Sequence, residues 1–186
     1  MKVYTLLTEE SCGWLTPLDE NIWMTSLSFD GQKKGEQYSP VEVTFSGDGL
    51  LCDNMSLASG ASTFSKKAVD LLMPIMGSQV EVLPLSFKTK QYFLVNVINI
   101  LDCIDYDASE FERYEPNGRI MFFHKYSFRE DKLLKSNIFK TTDEPEGIPF
   151  VTDAFVDFVK KSDLTGFKFE LVWDSDGIEM PDYSLF

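Results

Sequence analysis

Apolar residues recur at the spacing of one helix face in the segment that begins near residue 64. They fall at positions i, i+4, i+7 and i+8, which are occupied by Phe64, Ala68, Leu71 and Leu72. This spacing is typical of an amphipathic helix that packs one stripe of side chains against a core. Ser65 stands where an N-cap hydroxyl belongs, and Pro74 with Gly77 indicates the helix end. The alternation that follows over residues 80–85 predicts a strand.

The same arrangement returns in the last part of the chain. Its apolar stripe consists of Val151, Phe155, Phe158 and Val159. Thr152 takes the N-cap place, Asp153 complements the positive helix start, and Gly166 closes the helix. Residues 167–172 then alternate as a strand.

The two segments are related by a constant offset of 87 residues, from Phe64 to Val151, and the alignment needs no gap. Identical residues occur at Val69 and Val156 and at Asp70 and Asp157. An internal helix–strand duplication is one explanation. Chance is the other, because capped amphipathic helices resemble one another.

Further strands are predicted from alternation over residues 3–7 and 41–45, and over 119–128. One face of the last strand carries Ile120, Phe122, His124, Tyr126 and Phe128. Residues 92–104 are apolar at successive positions, which indicates a long strand buried on both faces. This order of elements favours an α+β fold with a mostly antiparallel sheet and two amphipathic helices. We expect one domain over residues 1–186.

The charge of the chain is more informative than its overall composition. Hydrophobic residues make up 44% of the 186 residues, which is ordinary for a globular protein. The chain has 17 Lys and Arg against 30 Asp and Glu, and a formal net charge of −13. DNA, RNA and anionic membranes repel such a chain, so we expect neither a nucleic-acid partner nor a membrane. The most apolar stretch, 92–104, is shorter than the roughly 20 residues of a membrane helix. A cytoplasmic protein is therefore predicted.

The cysteines are odd in number and far apart, at Cys12, Cys52 and Cys103. No disulfide framework or zinc site can be written from this spacing. We predict reduced, mostly buried thiols in a reducing compartment.

No motif in the sequence supplies a reaction centre. His124 is the only histidine and lies among aromatic residues, which favours a core or interface position over a general base. Residues 174–177 (DSDG) resemble part of a calcium loop, but Val172 and Tyr183 would then occupy ligand positions, so a turn is predicted instead. Glycine-rich phosphate loops and histidine metal motifs are missing from the sequence. We expect no enzymatic activity, no cofactor and no metal.

Carboxylates concentrate in two segments that are candidates for contact with a basic protein partner, because acidic patches accelerate such association. The candidate residues are Asp102, Asp105, Asp107, Glu110 and Glu112 in the first segment, and Asp174, Asp176 and Glu179 in the second. Three alternatives are open. The first segment could hold Mg²⁺ in a carboxylate-dependent hydrolase. The protein could be a non-catalytic acidic interaction module within a larger assembly, or both segments could be solvated surface.

Two runs of sequence carry a family resemblance. The first is residues 150–158 (FVTDAFVDF) followed by 164–169 (LTGFKF), and the second is 92–98 (YFLVNVI) with 101–105 (LDCID). Together they resemble the immunity proteins of bacterial polymorphic toxin systems, specifically the family numbered eleven. The resemblance covers residues 59–172, between a variable N-terminal part (1–58) and an acidic tail (173–186).

The resemblance implies a small cytoplasmic protein, encoded beside a toxin, that binds the toxin domain and blocks it. The mechanism would be steric occlusion or acidic mimicry of the toxin's substrate. No catalytic residues come with such a family. The acid excess fits a basic toxin such as a nuclease.

Overall fold

The computed structural model describes residues 1–19, 29–57, 62–115 and 117–177. Within these ranges the strands are β1 (Lys2–Thr8), β2 (Trp14–Pro17), β3 (Val41–Ser46), β4 (Asn54–Leu57), β5 (Ser62–Ser65), β6 (Val80–Ser86), β7 (Tyr92–Val97), β8 (Ile100–Leu101), β9 (Glu110–Arg113), β10 (Ile120–Lys125), β11 (Ile138–Thr141), β12 (Phe150–Thr152) and β13 (Phe167–Asp174). The two α-helices are α1 (Lys66–Met76) and α2 (Asp153–Lys160).

The strands form three assemblies. Five of them make a sheet in the order β13-β1-β12-β11-β8, and six close into a barrel in the order β2-β3-β6-β7-β5-β4. Strands β9 and β10 form a separate two-stranded ribbon. Among the described pairs of strands, only β2 with β4, β3 with β6 and β8 with β11 are parallel. The predicted mixed α and β fold with a mostly antiparallel sheet is therefore confirmed, whereas the barrel closure was not predicted.

Helix α1 begins one residue after Ser65, whose hydroxyl accepts a hydrogen bond from the backbone amide of Ala68 at 3.2 Å. This cap confirms the predicted start. Phe64 was wrongly placed in the helix, because it is the buried penultimate residue of β5. Leu71 is exposed, and the buried face is instead Ala68, Val69, Leu72 and Met76. Pro74 lies inside the helix, whose last residue is Met76 and whose C-cap is Gly77.

Helix α2 starts at the predicted place but is capped differently. Thr152 makes no side-chain cap hydrogen bond. The Asp153 carboxylate accepts hydrogen bonds from the backbone amides of Ala154 and Lys2. Val151 lies in β12 rather than on the helix, for the same reason as Phe64, and the buried helix residues are Phe155, Val156 and Val159.

Strand pairing follows the 87-residue offset. Strands β5 and β6 flank β7 with α1 between them in sequence, and β12 and β13 flank β1 with α2 between them. The registers also correspond. Leu94 pairs with Thr63 and Leu83, while Thr5 pairs with Phe150 and Glu170, which lie 87 residues further on. The offset therefore relates two strand–helix–strand units with the same pairing geometry, and their descent from a duplication stays a prediction.

A buried cluster joins the two units, with Ala68 and Leu72 from α1 and Phe155 and Val159 from α2. Residues 1–58 contribute β1 to the five-stranded sheet, where it lies between β13 and β12, and β2–β4 to the barrel. The prediction of one long strand over residues 92–104 is wrong. Strand β7 ends at Val97, because the amides of Ile98 and Asn99 donate to the Gln79 carbonyl and not to a carbonyl of a neighbouring strand.

The expectation that all cysteines are reduced is wrong for two of them. Cys12 and Cys52 form a disulfide across a sequence separation of 40 residues. The barrel brings them together, because Cys12 precedes β2, Cys52 precedes β4, and β2 pairs with β4. Cys103 is a buried free thiol, as predicted, and burial raises its pKa to about 12.

Gly166 lies against this disulfide and has a backbone φ of +85°. A Cβ at this position would lie 2.6 Å from the Cβ of Cys52 and closer still to the carbonyl oxygen of Asn54. A glycine is therefore required on two grounds, the left-handed backbone and the close approach of the Cys52–Asn54 backbone.

Replacing Gly166 with alanine should lower the free energy of unfolding by at least about 2 kcal/mol, because overlap with a rigid backbone adds to the conformational cost. Urea denaturation measures the loss. Gly35→Ala is the matched control. Gly35 also has a positive φ, +55°, but no atom lies within 4 Å of the position that its Cβ would take, so only the conformational cost of roughly 1 kcal/mol is expected. Equal losses in the two variants would contradict the steric argument.

Candidate functional site

The ribbon of β9 and β10 carries the first acidic segment. Phe111 pairs with Phe123, and both pack against a buried cluster beneath the ribbon. Glu112 pairs with Phe122, and Glu110 pairs with Lys125, on the opposite face. We call this opposite face the ribbon face and define it by Glu110, Glu112, Phe122, His124 and Lys125.

Two irregularities in β10 set which side chains lie on the ribbon face. The register shifts between Ile120 and Phe122 and again between Phe123 and Lys125. Each shift leaves one extra residue on β10, Met121 in the first case and His124 in the second, which is the geometry of a β-bulge. The predicted single face of Ile120, Phe122, His124, Tyr126 and Phe128 is therefore wrong.

His124 lies at the surface rather than in the core. Its Nε2 is 3.0 Å from Oε1 of Glu112, and its ring meets Phe122 edge to face at 4.6 Å between centroids. The prediction of a core position for His124 is therefore wrong, and the alternative of an interface position stays a prediction. Lys125 lies 4.0 Å from Glu110 on the same face.

The other carboxylates of the first segment lie at the base of the ribbon. Asp102 is exposed and forms an ion pair with Arg129 at 3.0 Å. Asp105 is half-buried, and its carboxylate accepts a hydrogen bond from the amide of Asp107, which is exposed. This short turn projects the Asp107 side chain into solvent.

Two further carboxylates, which the sequence reasoning missed, lie beside this base. The Tyr106 hydroxyl donates to Asp143 at 2.8 Å, and the Tyr126 hydroxyl donates to Glu144 at 2.8 Å. Burial raises the pKa of Glu144 above its ordinary value, although the bond from Tyr126 opposes the rise. Burial and Asp143 raise the pKa of Tyr106 to about 12. No sequence signal identifies these pairs, since Tyr106 and Asp143 are 37 positions apart.

The second acidic segment divides into different environments. The Asp174 side chain has no exposed surface and forms an ion pair with Lys2 at 2.9 Å. The Lys2 ammonium and the amide of Asp176 lower the pKa of Asp174. Asp176 is exposed in the turn that follows β13, which confirms the turn predicted there. Glu179 lies outside the described residues.

The carboxylates of the ribbon segment do not converge. Glu112, Glu110 and Asp102 each lie nearest a different basic side chain. Across the described ranges, no group of three or more His, Cys, Asp or Glu side chains could hold a metal ion. This geometry gives the hydrolase alternative no support. Each of the three carboxylates is exposed and pairs with one basic side chain.

In the part of the chain that the structure describes, no helix has the length and apolar character needed to cross a bilayer. A comparison with curated proteins finds no match.

The family comparison does give a match. The model of the immunity protein family Imm11 matches residues 81–174. The matched region runs from β6 to the last residue of β13 and includes the whole ribbon and α2. It confirms the family resemblance and covers half of the chain. The chain therefore belongs to the Imm11 immunity protein family.

Proposed function

We propose that this protein binds a cognate bacterial toxin domain in the cytoplasm and neutralises it without chemistry of its own. The observation that carries the proposal is the family match over residues 81–174. A binding protein of this kind needs a complementary surface and no reaction centre. It would act by covering the toxin's active site or by presenting carboxylates in place of an acidic substrate.

The surface that we propose for the toxin consists of exposed carboxylates. Asp102, Asp107, Glu110, Glu112 and Asp176 are exposed in the structure, and Asp105 positions Asp107. Asp174 would act only by holding the turn that carries Asp176, because its own carboxylate is buried against Lys2. The partner of such a surface is a basic protein, and we propose neither a nucleic acid, nor a membrane, nor a cofactor.

We also infer that the two strand–helix–strand units arose by internal duplication. The support is the gapless 87-residue offset together with corresponding registers around β7 and β1. Chance similarity of two capped helices explains a shared hydrophobic stripe, but it does not require shared pairing partners.

The proposal is tested by mixing the purified protein with the toxin encoded by the neighbouring gene. We expect one complex on size-exclusion chromatography and loss of toxicity when the two are expressed together. Failure to bind this toxin, with growth unaffected by deletion of the present gene, would refute the proposal. Equal binding to unrelated basic proteins would show a non-specific acidic module instead.

The contribution of charge is tested by reversing Asp107 and Glu110 to lysine together. The association rate at low salt should fall about tenfold, and the deficit should shrink as salt screens the interaction. The control reverses Glu36 and Asp48 to lysine. Both residues are exposed and lie outside the two acidic segments, and this double reversal changes the net charge by the same amount. If the control slows association equally, net charge rather than this surface steers the partner.

A further inference from the structure

Exposed apolar side chains gather on and beside the ribbon. Four of the large hydrophobic residues that are exposed in the described part of the chain lie within residues 106–122, namely Tyr106, Tyr114, Met121 and Phe122. Aromatic residues and methionine are enriched at the centres of protein interfaces, where a few side chains dominate the binding energy.

The backbone of β10 holds Phe122 out of the core. Phe122 and Phe123 are adjacent, yet Phe123 is 9% exposed and packs on Phe111, whereas Phe122 is 39% exposed and pairs with Glu112 on the ribbon face. Removing a phenylalanine from water is favourable. A partner that covers the exposed part of Phe122 therefore gains binding energy there.

Charged side chains surround Phe122 on the same face. Glu112 lies opposite it, and Glu110 lies two pairs further along the ribbon on the same face. Arg113 is directed to the other face, where its guanidinium lies 4.8 Å from the centre of the Phe111 ring and donates to the Gly118 carbonyl. The ribbon face thus carries an apolar centre with two carboxylates beside it and Lys125 at one end.

We propose that the ribbon face is the docking surface for the cationic face of the toxin domain, with Phe122 as the apolar anchor and Glu110 and Glu112 as its charged rim. This inference rests on the proposed function and names the surface that performs it. The occupant is a protein surface with an apolar pocket bordered by lysine or arginine. Charge complementarity favours this occupant over a second copy of the chain, whose net charge is −13.

The test measures the affinity of Phe122→Ala for the catalytically inactivated toxin encoded by the neighbouring gene. Loss of a central anchor should weaken binding at least about 30-fold, mainly through faster dissociation. Leu50→Ala is the matched control, because Leu50 is 67% exposed but lies next to the disulfide rather than on the ribbon. It should change affinity less than about twofold.

Equal urea midpoints for Phe122→Ala and the unsubstituted protein will show that the fold is retained. Phe122→Tyr should restore most of the affinity. If the unsubstituted protein binds the toxin and Phe122→Ala binds within threefold of it, the docking surface is wrong and the proposed function stands. If the unsubstituted protein does not bind, both fail. If it forms a dimer that Phe122→Ala dissociates while toxin binding is unchanged, a second copy is the occupant and the inference is overturned.

Discussion

Replacing Cys12 and Cys52 together with alanine should lower the free energy of unfolding by about 4 kcal/mol. The disulfide closes a loop with a sequence separation of 40 residues, and the chain-entropy relation for a loop of this length gives that magnitude. Both residues are buried, so the variant also loses packing. The measurement is urea denaturation without reductant, in which the midpoint should fall by about 2 M for an unfolding slope of roughly 2 kcal/mol per M.

The matched control is the effect of a reductant. It should lower the urea midpoint of the unsubstituted protein and leave that of the alanine double variant unchanged. Thiol titration of the denatured protein should find one reactive thiol per chain, from Cys103, before reduction and all three afterwards. The same midpoint with and without reductant would contradict the entropic role of this bond.

The disulfide also bears on where the protein works. Cytosolic reductants keep most thiols reduced, whereas we propose a cytoplasmic function. Both sulfur-bearing residues are buried beneath the loop that contains Gly166. Burial slows thiol exchange because the attacking thiolate must reach a sulfur atom. Thiol trapping in intact cells therefore measures whether the working protein is the oxidised or the less stable reduced form.

The patterns of polar and apolar residues along the chain predicted those features that depend on residues close in sequence. Ser65 caps α1 as expected because its hydroxyl and the amide of Ala68 are close in sequence. The strand of residues 80–85 was found from its apolar pattern, although both of its faces pack against a core, Val80 in one cluster and Leu83 and Leu85 in another. Phe64 and Val151 were misplaced because each belongs to a strand that runs directly into a helix, where both periodicities fit the same residues.

The sequence predicted the acidic composition of the candidate site but not the exposure of its individual side chains. The carboxylates of residues 102–115 are visible as composition, but the half-buried position of Asp105 depends on the turn in which it accepts the Asp107 amide. The side chains that lie opposite Glu110 and Glu112 depend on the bulges in β10. A bulge changes which face each later residue occupies, and no alternation pattern contains it. Phe122 was therefore predicted to share one strand face with Ile120 and Phe128, whereas the ribbon exposes it.

The closure of the barrel could not be predicted from local sequence patterns, because it depends on pairing between distant strands. Strands β2 and β4, and strands β3 and β6, pair in parallel across long separations. Such contacts are decided by which hydrophobic faces meet in the folded chain. The same closure brings together Cys12 and Cys52, and it creates the buried position of Asp53 beside them.

Asp53 joins the barrel to the loop that precedes β13. Its carboxylate accepts hydrogen bonds from the Ser65 hydroxyl at 2.6 Å and from the amide of Thr165 at 3.2 Å. The ammonium groups of Lys90 and Lys67 lie 3.6 Å and 3.7 Å from it. Since the Ser65 oxygen also accepts from the first turn of α1, Asp53 orients the cap of that helix.

Replacing Asp53 with alanine should lower the free energy of unfolding at pH 7 by about 3 kcal/mol, because buried donors and two ammonium groups would lose their acceptor. Urea denaturation measures this loss. Asp70→Ala is the control. Asp70 forms an exposed ion pair with Lys66, and its replacement should cost no more than about 0.5 kcal/mol.

The contribution of the Asp53 charge should depend on pH in a defined direction. Burial alone would raise the pKa of Asp53, but the hydrogen bonds from Ser65 and Thr165 and the ammonium groups of Lys90 and Lys67 outweigh it, so the folded pKa lies below its ordinary value of 3.8. The lowered pKa means that the stabilisation by the charge is complete above the unfolded pKa and is lost as the pH falls through the folded pKa. Subtracting the unfolding free energy of Asp53→Asn from that of the unsubstituted protein at each pH removes the other titrating groups. This difference should be constant between pH 7 and pH 5 and should shrink below pH 4. A difference that stays constant down to pH 2 would show that the charge of Asp53 does not stabilise the contact between the two parts of the fold.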